Sequence, residues 1–241
     1  MTPSAVPLLE LVHLSRRRTD ADGWLLEDIS LKLHPGERLA IVGPSGAGKT
    51  LLLRAMVLLD RIDRGEVRWE GSRLSHNEVP KFRRHAIYLH QRPSLREATV
   101  EAAIRQPFPL KAYRGREFDR GRVAQLLAGL GRDGTFLEKK SRDLSGGEMQ
   151  IAALVRAVQL DPTVLLLDEP TAALDAATAA AAEQLLNSWA SEVPGRAIVW
   201  VSHDAAQSRR MATRTVSMFA GRLVGVDERS PSASAEFPHA G

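Results

Sequence analysis

The sequence predicts an α/β fold, a sheet flanked by helices, and three observations carry that expectation. Short apolar runs alternate with helical patterns along the 241 residues. One run passes directly into a glycine-rich loop and then a helix. Later runs stay apolar until polar residues stand at their carboxyl ends. Ligands of open α/β sheets bind at that edge, so the features that predict the fold also locate a candidate site.

Taken in order, "LLELVHL" (8–14) and "ISLKL" (29–33) read as early strands. "RLAIVG" (38–43) is a buried strand running into "GPSGAGKT" (43–50) and the helix "LLLRAMVLL" (51–59). "AIYLHQ" (86–91) reads as a strand ending at Gln91. In "DLSGGEMQ" (143–150), Ser145 and Glu148 fit the S-x-x-E capping box, in which each side chain satisfies an orphan backbone N–H at a helix start. "TVLLLDEP" (163–170) and "AIVWVSHD" (197–204) are further strands with polar ends. Residues 1–229 read as one domain and 230–241, small, polar and proline-punctuated, as a disordered tail.

Gly43, Gly48, Lys49 and Thr50 match G-x-x-x-x-G-K-[ST], and strand, loop and helix are the context that motif needs. Glycines let the backbone curl so that N–H groups and the following helix N-terminus face phosphates. Lys49 reaches the β- and γ-phosphates in such a loop, and the Thr50 hydroxyl ligates Mg²⁺. Asp168 is a candidate to hold that Mg²⁺, and Glu169 to orient or deprotonate an attacking water. The same acidic pair could instead cap the next helix. His203, at the end of its strand, can hydrogen-bond a γ-phosphate or serve structure alone. Gln91 can reach Mg²⁺ or the water, or be an ordinary turn residue.

Composition narrows the class. The chain is 44% hydrophobic and 26% charged, enough for a sizeable core. It has no cysteine, which removes disulfides and thiolate metal sites and makes a reducing compartment the default. No apolar run approaches the roughly 20 residues that span a bilayer, so any membrane role is expected to be peripheral. The net charge is +4, but basic residues are dispersed through "SRRR", "KFRRH" and "QSRRM", so nucleic-acid binding is not implied.

Together these motifs resemble the ATP-binding subunit of an ABC transporter, over residues 8 to 226. "GPSGAGKT" is similar to Walker A, Gln91 to the Q-loop, "LSGGEMQ" to the signature, "VLLLDEP" to Walker B, "AALD" (172–175) to the D-loop and His203 to the switch histidine. The resemblance implies a P-loop NTPase of ABC type. Its mixed sheet core would carry an antiparallel β subdomain and a helical subdomain inserted at about 92–158. ATP and Mg²⁺ are the implied cofactors. Gly43, Pro44, Ser45, Gly46, Ala47, Gly48, Lys49, Thr50 and Leu51 would bind nucleotide, Thr50, Gln91 and Asp168 the metal, and Lys49, Gln91, Glu169 and His203 would be catalytic.

In this family two subunits close head-to-tail, so Ser145, Gly146 and Gly147 would cover a neighbour's nucleotide, which is why the signature needs no lysine of its own. The implied partners are a second copy and an integral-membrane permease, with no nucleic acid, at the cytoplasmic face of the inner membrane. Aligning "LVHLSRRR" puts Arg18 where the family stacks adenine on an aromatic residue, and Trp24 is the other candidate. "QRPSLREATVEAAIRQPFPLKAYRGREFD" (91–119) resembles stand-alone ATPases of iron exporters, although other exporter and lipoprotein-release ATPases fit as well. Repair ATPases of the superfamily carry long insertions between the Walker motifs, and its translation factors carry two such domains; this chain has neither feature.

Overall fold

The computed structural model describes residues 6–19 and 22–228; the tail expected at 230–241 lies outside them. Two sheets organise the chain. β1 (Leu9–Arg17), β2 (Trp24–Leu33), β4 (Arg64–Trp69) and β5 (Ser72–Arg73) form an antiparallel sheet in the order β2-β1-β4-β5. The second sheet, ordered β10-β9-β3-β8-β7-β6, is mixed. In it β3 (Arg38–Val42), β6 (Ala86–Leu89), β7 (Val164–Asp168), β8 (Ala197–Val201) and β9 (Arg214–Phe219) pair in parallel, and β10 (Arg222–Glu228) closes the edge antiparallel to β9.

The central strands are apolar along their interiors, with Arg38 at the start of β3 and Asp168 at the end of β7, because both of their faces are covered. Leu166, Val199 and Val201 point into one core with Leu14, Leu26, Leu52 and Val216, between the sheets and α1 (Lys49–Met56). Leu165, Leu167, Ile198 and Trp200 point into another. There they meet Leu154 and Val155 of α5 (Gly146–Val158) and Leu186 of α6 (Ala176–Glu192). Between β6 and β7 the chain is helical, through α3 (Val100–Arg105), α4 (Arg120–Gly129), α5 and three 3-10 turns. α2 (Val79–His85) precedes β6, and α7 (Ala205–Met211) follows β8.

Three strands stop short of the stretches read for them, which included the polar residues beyond the apolar runs. β6 ends at Leu89, where its ladder with β7 reaches Leu167, so Gln91 lies two residues past the strand. β7 ends at Asp168, and Glu169 turns out of the sheet with φ 49°. β8 ends at Val201, paired with Asp168, which puts His203 in the following turn. In each case pairing stops where side chains become polar and must leave the apolar layers. β4, β5 and the β9–β10 hairpin were not foreseen, because β5 is two residues long and in the others polar or glycine residues interrupt the apolar ones.

Candidate functional site

The loop from Gly43 to Gly48 leaves the carboxyl end of β3 and opens α1. A Cβ at Gly43, φ 153°, would stand 2.1 Å from the Met218 carbonyl oxygen, so only glycine fits. Gly48 occupies the cap position of α1 in the left-handed region, with no side-chain cap. The first N–H groups of that helix are thus left to an anion. Lys49 is buried and donates from Nζ to the carbonyls of Gly43 and Pro44, at 2.8 and 2.9 Å. Burial lowers its pKa, opposed by Glu169 and Asp168.

Asp168 is almost fully buried at the end of β7. Its Oδ2 accepts from the Thr50 hydroxyl at 2.8 Å and from the Tyr88 hydroxyl at 3.0 Å. Burial, then the Asp168 charge, pushes the Tyr88 phenol far above its usual range, so it stays a donor. Glu169 is anchored through its N–H to the Val201 carbonyl at 2.9 Å. Its two oxygens face different loops: Oε2 accepts from Gln91 Nε2 at 2.7 Å, and Oε1 lies 2.7 Å from His203 Nε2.

These groups surround a cavity of about 320 Å³ lined by Ser45 to Leu51 with Gln91, Glu169 and His203. Ser145, Gly146 and Gly147 are not in it. They line a separate cavity of about 460 Å³ with Arg132, Glu148 and the turn Ala173–Asp175. At that second cavity the capping box is complete. Ser145 Oγ accepts from Glu148 N–H at 3.2 Å, and Glu148 accepts from Ser145 N–H at 3.0 Å. The Ser145 hydroxyl proton remains free to donate. Lys139, 2.5 Å from the Glu148 carboxylate, is the chief reason that its pKa falls to about 2. A larger cleft, about 550 Å³, separates α4 from α6 and holds none of the predicted residues.

Sequence reasoning missed two side chains at these cavities. Tyr88 was read only as part of a strand, although its two-residue alternation with Ala86 gives it a definite face. Arg132 has an Nε buried without a partner, and nothing in its local sequence marked it. Neither adenine candidate is settled by contact: the Trp24 ring faces the guanidiniums of Arg17 and Arg64, at 5.2 and 4.8 Å, while Arg18 N–H closes its loop on the Gly23 carbonyl.

A sequence profile described as ABC transporter matches residues 26–172. The chain belongs to the ABC transporter family, as an ATP-binding, ATP-hydrolysing subunit. A probable anion import ATP-binding protein of Haloferax volcanii is 38% identical over 84% of this chain and 75% of its own length. The sulfate/thiosulfate import ATP-binding protein CysA of Xanthomonas campestris pv. campestris is 34% identical over 91% of this chain. The spermidine/putrescine import ATP-binding protein PotA of Pseudomonas aeruginosa is 33% identical over 99% of it. This ABC cassette spans only 63% and 62% of the lengths of those last two relatives. In structure it is similar to a dimeric bacterial ABC transporter cassette solved in a post-hydrolysis state with ADP and Pi. The TM-score is 0.83 at 27% identity, covering 92% of this chain and 99% of that one. Among the described residues no helix is long and apolar enough to cross a membrane.

Proposed function

We propose that this cassette hydrolyses MgATP in sites shared between two copies of itself and drives a separate membrane permease, peripherally at the cytoplasmic face of the membrane. The observation that carries the proposal is the separation of two half-sites in one chain. One cavity has Ser45 to Leu51 of the P-loop with Gln91, Glu169 and His203, and Asp168 buried behind Thr50, and the other has Ser145, Gly146 and Gly147 without a lysine. A two-fold dimer brings one chain's first cavity against its partner's second.

In this reading residues 43–51 hold the phosphates and Lys49 leaves its two loop carbonyls for them. Oxygen donors suit Mg²⁺, and Thr50, Asp168 and the free amide oxygen of Gln91 form such a set. Mg²⁺ would supply charge neutralisation on the phosphates. Tyr88 is a positioning residue for Asp168. Glu169 takes the proton of the attacking water, with His203 orienting it and contacting the γ-phosphate. Gln91 joins this site to residues 92–158, proposed as the helical subdomain that meets the permease.

For the cargo, residues 91–119 favour metal export, iron above all, whereas the relatives' printed names favour import. Vesicles of defined orientation carrying the native permease decide the direction: cargo leaving the cytoplasmic side supports export, and entry overturns it.

The shared site is tested by complementation. Lys49→Ala and Ser145→Arg should each be inactive alone. Mixed in equal amounts, the pair should recover about a quarter of wild-type activity if sites act independently, since half the dimers are mixed and each holds one intact site. Wild-type hydrolysis by Ser145→Arg, at a rate per molecule that does not change on dilution, overturns the shared site.

A further inference from the structure

Charge is unevenly distributed along this chain. Residues 79–122 carry eleven Lys or Arg against four Asp or Glu, a net of +7, while the remaining residues net −3. Part of the excess is neutralised locally, because Arg105 and Arg120 pair with Glu101 and Arg122 pairs with Asp161. The remainder is densest where α2 packs against the 3-10 turn Lys111–Tyr113. There the Arg84 guanidinium donates to the Ala112 carbonyl at 3.4 Å. Folding thus gathers the cations of "KFRRH" and "LKAYRGR", which are dispersed in sequence.

Lys81, Lys111 and Arg114 are exposed and form no ion pair among the described residues. Glu78, the acid nearest Lys81 in effect, is committed to the hydroxyl and N–H of Ser75. His85, beneath this face, is held below its usual pKa by burial first and then by Arg84, with Arg116 and Lys81 adding to the effect and Glu70 opposing it. At the crest stands Leu110, 54% exposed, between exposed Pro109 and Lys111. A single exposed leucine is ordinary. Leu110 beside Lys111 and four residues before Arg114 joins apolar area to positive charge, as on a surface that lies on a bilayer, with Glu117 beside Pro109 and Glu78 near Lys81 as the opposing acids.

We propose that this face, built from α2 and the 109–114 turn, binds anionic lipid headgroups directly, with Leu110 entering the acyl boundary and no permease required. Nucleic acid shares the charge requirement, but single-strand binding uses exposed aromatic platforms, and Tyr113, the aromatic residue of this turn, is buried. Each cation near an anionic leaflet strengthens binding about five-fold, so three contribute about a hundred-fold together.

Flotation of the purified protein with vesicles lacking permease tests this, using phosphatidylcholine alone and phosphatidylcholine with about one third phosphatidylglycerol. Wild type should float with the anionic vesicles only, and less so at high salt. The combined variant Lys81→Glu, Lys111→Glu and Arg114→Glu should lose binding about a hundred-fold or more while its thermal midpoint and basal ATPase rate stay at wild-type values. Leu110→Ser should weaken flotation several-fold and keep the salt dependence. Equal flotation of wild type and the triple variant, or equal binding to both vesicle types, overturns the proposal. So does a duplex DNA bound at lower concentration than the anionic vesicles and released by the same three substitutions. Unchanged flotation of Leu110→Ser overturns the insertion of the leucine.

Discussion

The two helix N-termini that face the cavities are built in opposite ways. α1 begins at Gly48 with no side-chain cap, and its cation is inside the loop, Lys49 on the carbonyls of Gly43 and Pro44. α5 begins at Ser145 with both halves of a capping box made, and its nearest paired cation, Lys139, is occupied by Glu148. An open helix end with an internal lysine is competent to bind an anion by itself. A capped end contributes only what its cap leaves over, here one hydroxyl proton and the N–H groups of two glycines. The second end is thus made to complete a site, whereas the first is made to found one.

Removing the founding cation is the severest way to break this contrast. Lys49→Ala should reduce phosphate release by several orders of magnitude with the circular dichroism spectrum retained, because charge stabilisation is the main catalytic contribution to phosphoryl transfer. Near-normal turnover would mean that α1 founds nothing. On the other side, Gly147→Ala puts a Cβ 2.8 Å from the Ala173 carbonyl oxygen. It should cost about 1–3 kcal/mol of stability through this overlap and should lower hydrolysis more than ATP binding to the monomer, measured by urea unfolding and nucleotide titration. Tyr88→Phe sharpens the first end: one of two donors to buried Asp168 is lost, worth about 1–3 kcal/mol, and the Mg²⁺ concentration for half-maximal activity should rise.

The smallest effect concerns the cap. The Glu148 carboxylate has its pKa lowered from 4.5 to about 2 in the folded protein, chiefly by Lys139. Its charge therefore stabilises the fold fully above pH 4.5, and that contribution fades as pH falls toward 2. Glu148→Gln should thus be less stable than wild type at neutral pH, with the gap closing in acid. A gap that is constant from pH 7 to pH 3 in urea unfolding would remove the charge from the cap.

Much of this was legible in the sequence because the carriers are local. The P-loop requires glycines at fixed spacing beside a strand, and "RLAIVGPSGAGKT" spells out strand, loop and helix. The central strands announce themselves because burial on both faces forbids polar residues. Strand ends were read too long because nothing in the polar residues after each apolar run marks where the backbone turns, as Glu169 does with its positive φ. Tyr88 escaped because its role depends on β6 lying beside β7, a pairing between residues 80 positions apart in the hydrogen bond to Asp168. The cationic face escaped for the same reason, since only the packing of α2 on the 109–114 turn unites its halves.

Glu169 is held from two directions, by Gln91 and by His203. Each carboxylate oxygen keeps a lone pair beyond these two bonds, so on the proposed reading the attacking water meets a base whose direction the two donors have already fixed. Its aim therefore depends on the ends of two different strands, β6 through Gln91 and β8 through His203, keeping their places. A shift of either loop would spoil the angle of attack while leaving every catalytic group present.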